Sequence, residues 1–293
     1  MHEWINRNTK WIFTLPTLAF VVICIGYPLG YALYMSLHSW RMSLIEQPIY
    51  IGLANFVELF SEERTLNALG FTFKYFIIAS IFEVTFGVIL ALMVSKIKKA
   101  RGLIRTGFLF PMVATPIAMG YVWKVIFDSS IGLVNVLLRF FGQKAVNWFS
   151  ASNVFKMLMI VEVWAGTPLI MLIVLAGITG LSADIYEAAK IDGANSIQIT
   201  YKITLPLLSP TIVMAFLLRG IEVLKIYDVI YAITAGGPNQ STENLNLLVY
   251  TYAFDYMQMG KASALMIIFF SVVMAFALVS MLGKKQIETK YLQ

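Results

Sequence analysis

Four charged residues recur at every third position within an otherwise apolar stretch: Arg219, Glu222, Lys225 and Asp228. A charge at the middle of a bilayer costs about 2.5–3.5 kcal/mol, so each needs a partner or a wet surface. Residues three apart on a helix can pair, and the signs here alternate. In one interpretation, Glu222, Tyr227 and Asp228 line a polar path that hydrogen-bonds a sugar. In the other, the two acids neutralise Arg219 and Lys225 at a subunit interface.

A second candidate site combines Glu162 with Trp164. An aromatic ring can stack on the apolar face of a sugar while carboxylate oxygens accept protons from its hydroxyl groups. A tryptophan near the end of a membrane helix can equally belong to the interfacial aromatic belt. For Glu83, a further acid in an apolar stretch, we expect a role in packing between helices.

Other chemistries are disfavoured by the residues present. The chain has one cysteine, Cys24, and two histidines, His2 and His38. These numbers exclude an intrachain disulfide, a cysteine metal cluster and an HExxH zinc motif. The sequence also has no GxxxxGK[ST] stretch, and therefore no P-loop of its own. We predict that the chain is not an enzyme and carries no catalytic residue, metal ligand or cofactor.

The elements that position these residues are predicted to cross a membrane. Hydrophobic residues make up 59% of the sequence and charged residues 13%, against roughly 25% charged residues in soluble domains. Backbone groups in lipid must satisfy their own hydrogen bonds, so each long apolar stretch should be a helix. We predict an all-α, polytopic fold in a single transmembrane domain over residues 1–293. Its six spans lie at roughly 11–37, 75–95, 107–127, 157–178, 211–234 and 262–282.

Basic residues predict the orientation of these spans. Cytoplasmic loops of membrane proteins are enriched in lysine and arginine. The loop after the second span is the richest, with Lys96, Lys98, Lys99, Arg101 and Arg105. This distribution favours cytoplasmic N- and C-termini. It also accounts for the net charge of +6 through loops beside the membrane, so we predict no nucleic-acid partner.

The loop between the fourth and fifth spans, about residues 179–210, is predicted to begin with a short cytoplasmic helix. Asp184 is a candidate N-cap, and Glu187 falls three residues later, where a capping box places an acid. Gly193 supplies a stop signal for this helix.

A second short helix is predicted to follow, with Ser196 as its cap. We expect Leu205-Pro206 to end it, because the residue before a proline avoids the helical conformation. Short helices of this kind can lie in a groove of another protein. The loop can also be a surface connector, in which Glu187 acts only as a local cap.

The same loop carries an extended motif. Its residues are Glu187-Ala188-Ala189, then three residues, Gly193, nine residues and Ile203-x-Leu205-Pro206. This pattern resembles the complete EAA loop of bacterial ABC importer permeases, which forms a coupling helix that docks into a cleft of the ATP-binding subunit. The resemblance implies that Glu187 and Gly193 are the most sensitive positions. It also implies a docking face that includes Ala188, Ala189 and Asp192.

Short stretches elsewhere resemble the carbohydrate branch of that family, which includes the maltose and glycerol-phosphate importer permeases. They occur in the family's order and include residues 52–56 (GLANF), 234–238 (TAGGP) and 252–254 (YAF). The resemblance implies the type I importer permease fold, in a multi-pass protein of the bacterial inner or plasma membrane.

The resemblance also implies the partners. A second permease subunit would complete the pathway, and two ATP-binding subunits would bind ATP and Mg and dock at the cytoplasmic loop. An extracytoplasmic binding protein would deliver a sugar, oligosaccharide or related polyol. Transport would then proceed by alternating access.

Two other hypotheses remain at this point. An ion-coupled secondary transporter could use intramembrane carboxylates as proton or sodium sites, namely Glu83, Glu162, Glu222 and Asp228. Against it, the sequence suggests neither an inverted repeat nor paired broken helices. An intramembrane enzyme is disfavoured because metal and nucleophile motifs are missing.

Overall fold

Helices account for most of the chain in a computed structural model, which describes residues 2–42, 47–97 and 101–291. The predicted all-α fold is confirmed, apart from two short strands, β1 (His38–Ser39) and β2 (Ile49–Tyr50). Lys98 and Lys99, used above to predict orientation, lie outside the described residues. The helices in the first part of the chain are α1 (His2–Val21), α2 (Tyr27–Ser36), α3 (Ala54–Ser61), α4 (Glu63–Ser95), α5 (Arg101–Val113), α6 (Pro116–Ile126) and α7 (Leu133–Phe140). Those that follow are α8 (Val154–Thr179), α9 (Ala183–Ile191), α10 (Ser196–Ile199), α11 (Leu205–Leu224), α12 (Asp228–Thr234), α13 (Leu245–Tyr250) and α14 (Met259–Tyr291).

The predicted spans correspond to five long apolar helices and one bent pair. Short π-helical turns join α1 to α2 and α10 to α11. The five continuous candidates are Phe13–Ser36, Glu63–Ser95, Val154–Thr179, Ser196–Leu224 and Met259–Lys284. Counting the bent pair as one span gives six candidates among the described residues.

The third span differs from the single helix that we predicted. Its two parts, Gly102–Val113 and Pro116–Ile126, meet at an angle of 95°. Thr115 between them is extended, with ψ of 127°, as expected for a residue before proline. Pro116 then begins α6, where its missing N–H has no helical partner to lose. Thr115 and Pro116 therefore account for the bend in this span.

The fifth span also differs from the prediction, at both ends. Leu205-Pro206 does not end the preceding helix, because Leu205 keeps helical angles and Pro206 falls in the first turn of α11, where proline is tolerated. At the other end the helix stops at Leu224, and Asp228 starts a separate helix. The four-residue ladder of charges predicted on one helix is therefore divided between α11, a turn and α12.

The described residues form two compact units, one from those up to residue 65 with residues 248–270, and the other from those between 66 and 247 with those from 271 onward. A single domain over residues 1–293 stays a prediction. In the first unit, Lys261 at the start of α14 is nearly buried and forms ion pairs with Glu58, at 2.9 Å, and with Glu62. Tyr252 donates a hydrogen bond to Glu62. Burial alone raises the pKa of Glu62, but these hydrogen bonds and the lysine charge outweigh it, so the pKa lies below its ordinary value.

The second unit is built around α8. This helix is apolar on all sides, a pattern typical of a helix enclosed by others, and 61% of its most apolar window is buried. It packs against α5 and α11, while α6 packs against α12. Gly220 of α11 permits close approach of α14, because it lies against the ring of Phe276. This packing brings the middle of α8 beside the bend between α5 and α6 and beside the end of α11.

Candidate functional site

A cavity of about 530 Å³ opens between the bend that joins α5 to α6, the middle of α8 and the turn that joins α11 to α12. Its apolar wall comes from residues 111–119 around the α5–α6 break and from the middle of α8. The polar part of its wall consists of Glu162, Arg219, Glu222, Lys225, Tyr227 and Asp228. In membrane transporters, interrupted helices commonly mark the substrate site, because irregular backbone is tolerated where it lines a cavity. Four of the five predicted substrate-path residues are therefore brought together.

Arg219 is the centre of a buried ion cluster on the cavity wall. Its Nε donates to Glu83 Oε2 at 2.8 Å and its Nη2 donates to Glu83 Oε1 at 3.1 Å, a bidentate pair. Nη2 also donates to Glu162, and Nη1 donates to Glu222 Oε2 at 2.9 Å. Glu83 is fully buried and Glu162 is 3% exposed. Such carboxylates are stable inside an apolar protein only when paired and hydrogen-bonded.

This cluster resolves the role of Glu83 and part of the role of Glu162. The predicted packing role of Glu83 between helices agrees with its bridge from α4 to α11. Glu162 also accepts a hydrogen bond from Tyr75, at 3.2 Å. Both acids are thus engaged in holding α4, α8 and α11 together. By contrast, Glu222 is 54% exposed and is the member of the cluster most available to a solute.

Gly166 allows the cluster to form. It lies on α8 directly beside the Glu83–Arg219 ion pair. An added Cβ would overlap both the Glu83 carboxylate and the Arg219 guanidinium. The sequence offered no reason to select this glycine, since its importance comes from residues on two other helices.

We expect Gly166→Ala to separate Glu83 from Arg219 and to lower both the thermal stability of the protein and its transport. The matched control is Gly70→Ala on α4, an exposed helical glycine with no atom within 4 Å of an added Cβ. Because alanine favours helix over glycine by about 1 kcal/mol, the control should be neutral or slightly stabilising. Thermal unfolding of both variants in detergent checks this, and equal midpoints would contradict it.

The turn between α11 and α12 is held by two asparagine side chains. Asn246 donates to the Lys225 carbonyl at 2.8 Å, and Asn244 donates to the Ile226 carbonyl. These bonds satisfy carbonyl groups that a continuous helix would have used, so the break persists. Tyr227 follows the turn and stacks on Tyr231, with ring centroids 5.4 Å apart. Sequence analysis missed both asparagines, although they lie in a polar stretch after the span.

Trp164 is not brought to the cavity with Glu162. It points to the other side of α8, where it lines a separate apolar pocket of about 630 Å³. Its ring packs edge-on against Trp123, at 5.3 Å between centroids. Residues two apart on a helix point about 200° apart, which is why a pairing inferred from closeness in sequence fails here.

The loop between α8 and α10 forms the predicted helix–turn–helix, with caps that differ from the prediction. Ser182, and not Asp184, caps α9: its side chain accepts a hydrogen bond from the Asp184 N–H at 3.3 Å. Asn195, and not Ser196, caps α10, in a reciprocal capping box with Gln198. In each helix a residue of similar capping ability lies one or two positions before the predicted cap, and side-chain geometry decides between them.

Gly193 ends α9 as predicted, in a left-handed conformation with φ of +77°. The Ala194 N–H closes the helix end on the Ala189 carbonyl at 2.9 Å, as in a Schellman motif. Glu187, Ala188 and Asp192 are exposed.

Ala189, predicted to lie on the docking face, is instead only 7% exposed and faces the protein. Ile203, Leu205 and Pro206 are partly buried at the base of the loop. The most exposed apolar side chains of this surface are Ile191, Ile197 and Tyr201. These three residues extend the candidate docking surface beyond the motif positions.

Within the described residues, no group of histidine, cysteine, aspartate and glutamate side chains could hold a metal ion. A polar cavity between apolar helices of membrane-spanning length, together with an exposed helix–turn–helix, is typical of a polytopic membrane transport protein. Residues 83–291 match the family described as the binding-protein-dependent transport system inner membrane component, and the chain belongs to this family. It is a multi-pass permease subunit of the bacterial plasma membrane and not an enzyme.

Similar proteins carry related descriptions. The chain is 34% identical to a probable ABC transporter permease protein, y4oQ, of Sinorhizobium fredii, over 92% of this chain and 88% of that protein. It is 32% identical to the trehalose/maltose transport system permease protein MalF of Thermococcus litoralis, over 92% of this chain and 91% of that protein. Its fold is similar to that of a chain from a bacterial ABC transporter involved in alginate import, with a TM-score of 0.84 at 21% identity, covering 98% and 99% of the two chains.

These findings decide between the transporter classes. Among the described residues, the third candidate span is bent by 95° between its two halves, whereas the candidate span Ser196–Leu224 is continuous. Nevertheless, none of the comparisons supports the ion-coupled alternative. Permeases of this family act with further subunits of an ABC importer.

Proposed function

We propose that this chain forms half of the translocation pathway of a carbohydrate importer, and that its cavity is part of that pathway. The observation that carries the proposal is the cavity wall, where Glu222, Tyr227 and Asp228 present hydrogen-bonding groups beside a helix break. Carboxylate and phenol oxygens suit the hydroxyl groups of a sugar, oligosaccharide or polyol. Relatives described as trehalose/maltose and multiple-sugar permeases support this substrate class.

The proposed roles of the polar residues on the cavity wall follow from how exposed each side chain is. Arg219, 13% exposed, is engaged by three carboxylates, two of them buried. Glu222 and Asp228 are exposed to the cavity. Glu162, one of the predicted path residues, would therefore serve the pathway by holding Arg219, while Glu222 and Asp228 would bind the solute.

Energy would enter through the loop at residues 179–210. The exposed residues Glu187, Ala188 and Asp192, with Ile191 and Ile197 nearby, would dock on an ATP-binding subunit. Two such subunits would bind ATP and Mg, and their closure would move the docked helices and switch the pathway between its inward-open and outward-open states. Both states must differ in contacts for ATP to shift the equilibrium. In this proposal, the loop and both termini lie in the cytoplasm.

A second permease subunit would supply the other half of the pathway, and an extracytoplasmic binding protein would deliver the solute. The helical segment Phe13–Ser36 has a largely exposed surface that can contact lipid or a second subunit, since only 11% of its most apolar window is buried. The direct experiment is reconstitution of the transporter in vesicles with its binding protein and a panel of labelled carbohydrates. ATP-dependent uptake without an ion gradient is expected; uptake that follows an imposed ion gradient would refute the proposal.

We expect Glu222→Gln to raise the solute concentration required for half-maximal uptake by about tenfold or more, since hydrogen bonds to charged groups contribute roughly 1.5–3 kcal/mol. Stability should change little, because an exposed ion pair contributes about 0–1 kcal/mol. Glu63→Gln, an exposed acid at the start of α4, is the control. Concentration-dependent uptake by the two variants separates them, and identical curves would remove Glu222 from the path.

A further inference from the structure

Helix α7 is too short to cross the membrane and yet exposes an apolar stripe. Eight residues extend about 12 Å, against a hydrocarbon core of about 30 Å. The stripe follows the spacing of one helix face, and its members are 47–82% exposed: Leu133, Val136, Leu137, Phe140 and Phe141. An exposed face of this kind on a helix that does not span needs a covering partner.

The opposite face of α7 is already occupied by the protein, so the stripe cannot turn inward. Asn135 is fully buried and accepts hydrogen bonds from the Val146 N–H at 3.0 Å and the Trp148 indole at 3.3 Å. It also donates to the Ser129 and Val146 carbonyls. Val134 packs against the core of the second unit. These contacts fix the rotation of α7 about its axis and leave the stripe facing outward.

The chain holds α7 close to the membrane surface. Residues 127–132 alone separate it from the end of α6, and six residues extend at most about 20 Å. After α7, the chain enters the membrane again with α8, which begins at Val154. A helix tethered between two membrane-embedded helices lies within reach of the interface between lipid headgroups and acyl chains.

The charges around the stripe fit an anionic lipid surface. From residue 129 to residue 153 the sequence contains Arg139 and Lys144 and no acidic residue. Both basic side chains are exposed, and Arg139 donates to the Ser130 carbonyl at 3.1 Å. Asp128, before this segment, accepts hydrogen bonds from the backbone N–H groups of Ile131 and Ser130, which lower its pKa.

We propose that α7 lies in the bilayer interface, with its apolar stripe among the acyl chains and with Arg139 and Lys144 at anionic headgroups. An apolar face bordered by basic side chains is the pattern of an interfacial helix. The contact would brace the loop between α6 and α8 against the membrane surface.

Spin labels on single cysteines test the proposal in the full transporter, in lipid discs of phosphatidylcholine and phosphatidylglycerol. In a Cys24→Ser background, one label is placed through Phe140→Cys and a control label through Gln143→Cys, an exposed polar position beyond the turn at Gly142. Collision rates with oxygen, which concentrates in lipid, and with a water-soluble nickel chelate are then compared. The oxygen-to-nickel ratio should be several-fold higher at position 140.

Two results would overturn the lipid assignment: equal ratios at the two positions, or a label at 140 shielded from both reagents, which indicates a protein partner. The headgroup contribution is tested by replacing phosphatidylglycerol with phosphatidylcholine alone. The oxygen-to-nickel ratio at position 140 should then fall. In the Lys144→Gln variant, the same change of lipid should produce a smaller fall. A ratio that does not depend on anionic lipid would overturn the role of the basic residues.

Discussion

Gly193→Val is expected to reduce ATP-driven uptake by about tenfold or more while the protein still reaches the membrane. Gly193 has a φ of +77°, and an added Cβ would meet no atom within 4 Å. The effect therefore comes from the backbone: an L-residue in the left-handed region costs about 1–2 kcal/mol, and a β-branched one more. The end of α9 would relax to another conformation and move Glu187 and Asp192 relative to the docking partner. The free energy that couples two sites is typically about 1–3 kcal/mol, so loss of this coupling has a large effect on uptake.

Two further variants separate coupling from simple strain. Gly52→Val introduces comparable backbone strain, since Gly52 has a φ of +60°. An added Cβ would meet only Tyr50 Oη, at 3.9 Å. It lies far from the loop in sequence and should retain uptake. Gly193→Asn should also retain most uptake, because asparagine tolerates the left-handed conformation. The measurements are uptake and the ATPase activity of the complex. Normal uptake by Gly193→Val would contradict a coupling role for this loop.

Arg219→Met is expected to destabilise the protein by about 3–5 kcal/mol, the usual cost of leaving a buried charge without its partner. The variant leaves Glu83, fully buried, and Glu162, 3% exposed, without a cation. For a chain of this size, 1 kcal/mol shifts the melting temperature by roughly 2–4 °C, so a fall of about 10 °C is expected. Thermal unfolding in detergent measures it.

Lys225→Met is the matched control for this prediction. Lys225 also lines the cavity but is exposed, so its removal should change stability by less than about 1 kcal/mol. A second comparison adds Glu83→Gln and Glu162→Gln to the Arg219→Met variant. Because neutral groups are less costly to bury than unpaired charges, this triple variant should recover part of the lost stability. If Arg219→Met melted at the temperature of Lys225→Met, the cluster would not be a stabilising element.

Features set by local sequence were predicted well. Apolar length identified the membrane spans, since the bilayer imposes one requirement on every residue in it. The glycine at position 193 and the motif around Glu187 predicted the helix–turn–helix of the loop, because capping and left-handed backbone depend on neighbouring residues. The two predicted caps, Asp184 and Ser196, were wrong, since Ser182 and Asn195 lie one or two positions earlier and have similar capping ability.

The partners of Arg219 could not be predicted in the same way. Spacing suggested Glu222, three residues away, and Glu222 is one of the partners. The other two, Glu83 and Glu162, lie 136 and 57 residues away and meet Arg219 only because α4, α8 and α11 pack together. In the same way, the helical rotation of α8 separates Trp164 from the cavity that Glu162 lines.

The sequence by itself thus determined the class of protein, through apolar helices of membrane-spanning length and a loop with a recognisable motif. The tertiary structure decided the site. Two helix breaks, Gly166 and the rotation of each helix placed distant charges around one cavity. The physical reason is that membrane insertion and capping depend on nearby residues, whereas ion pairing in an apolar interior depends on which helices become neighbours.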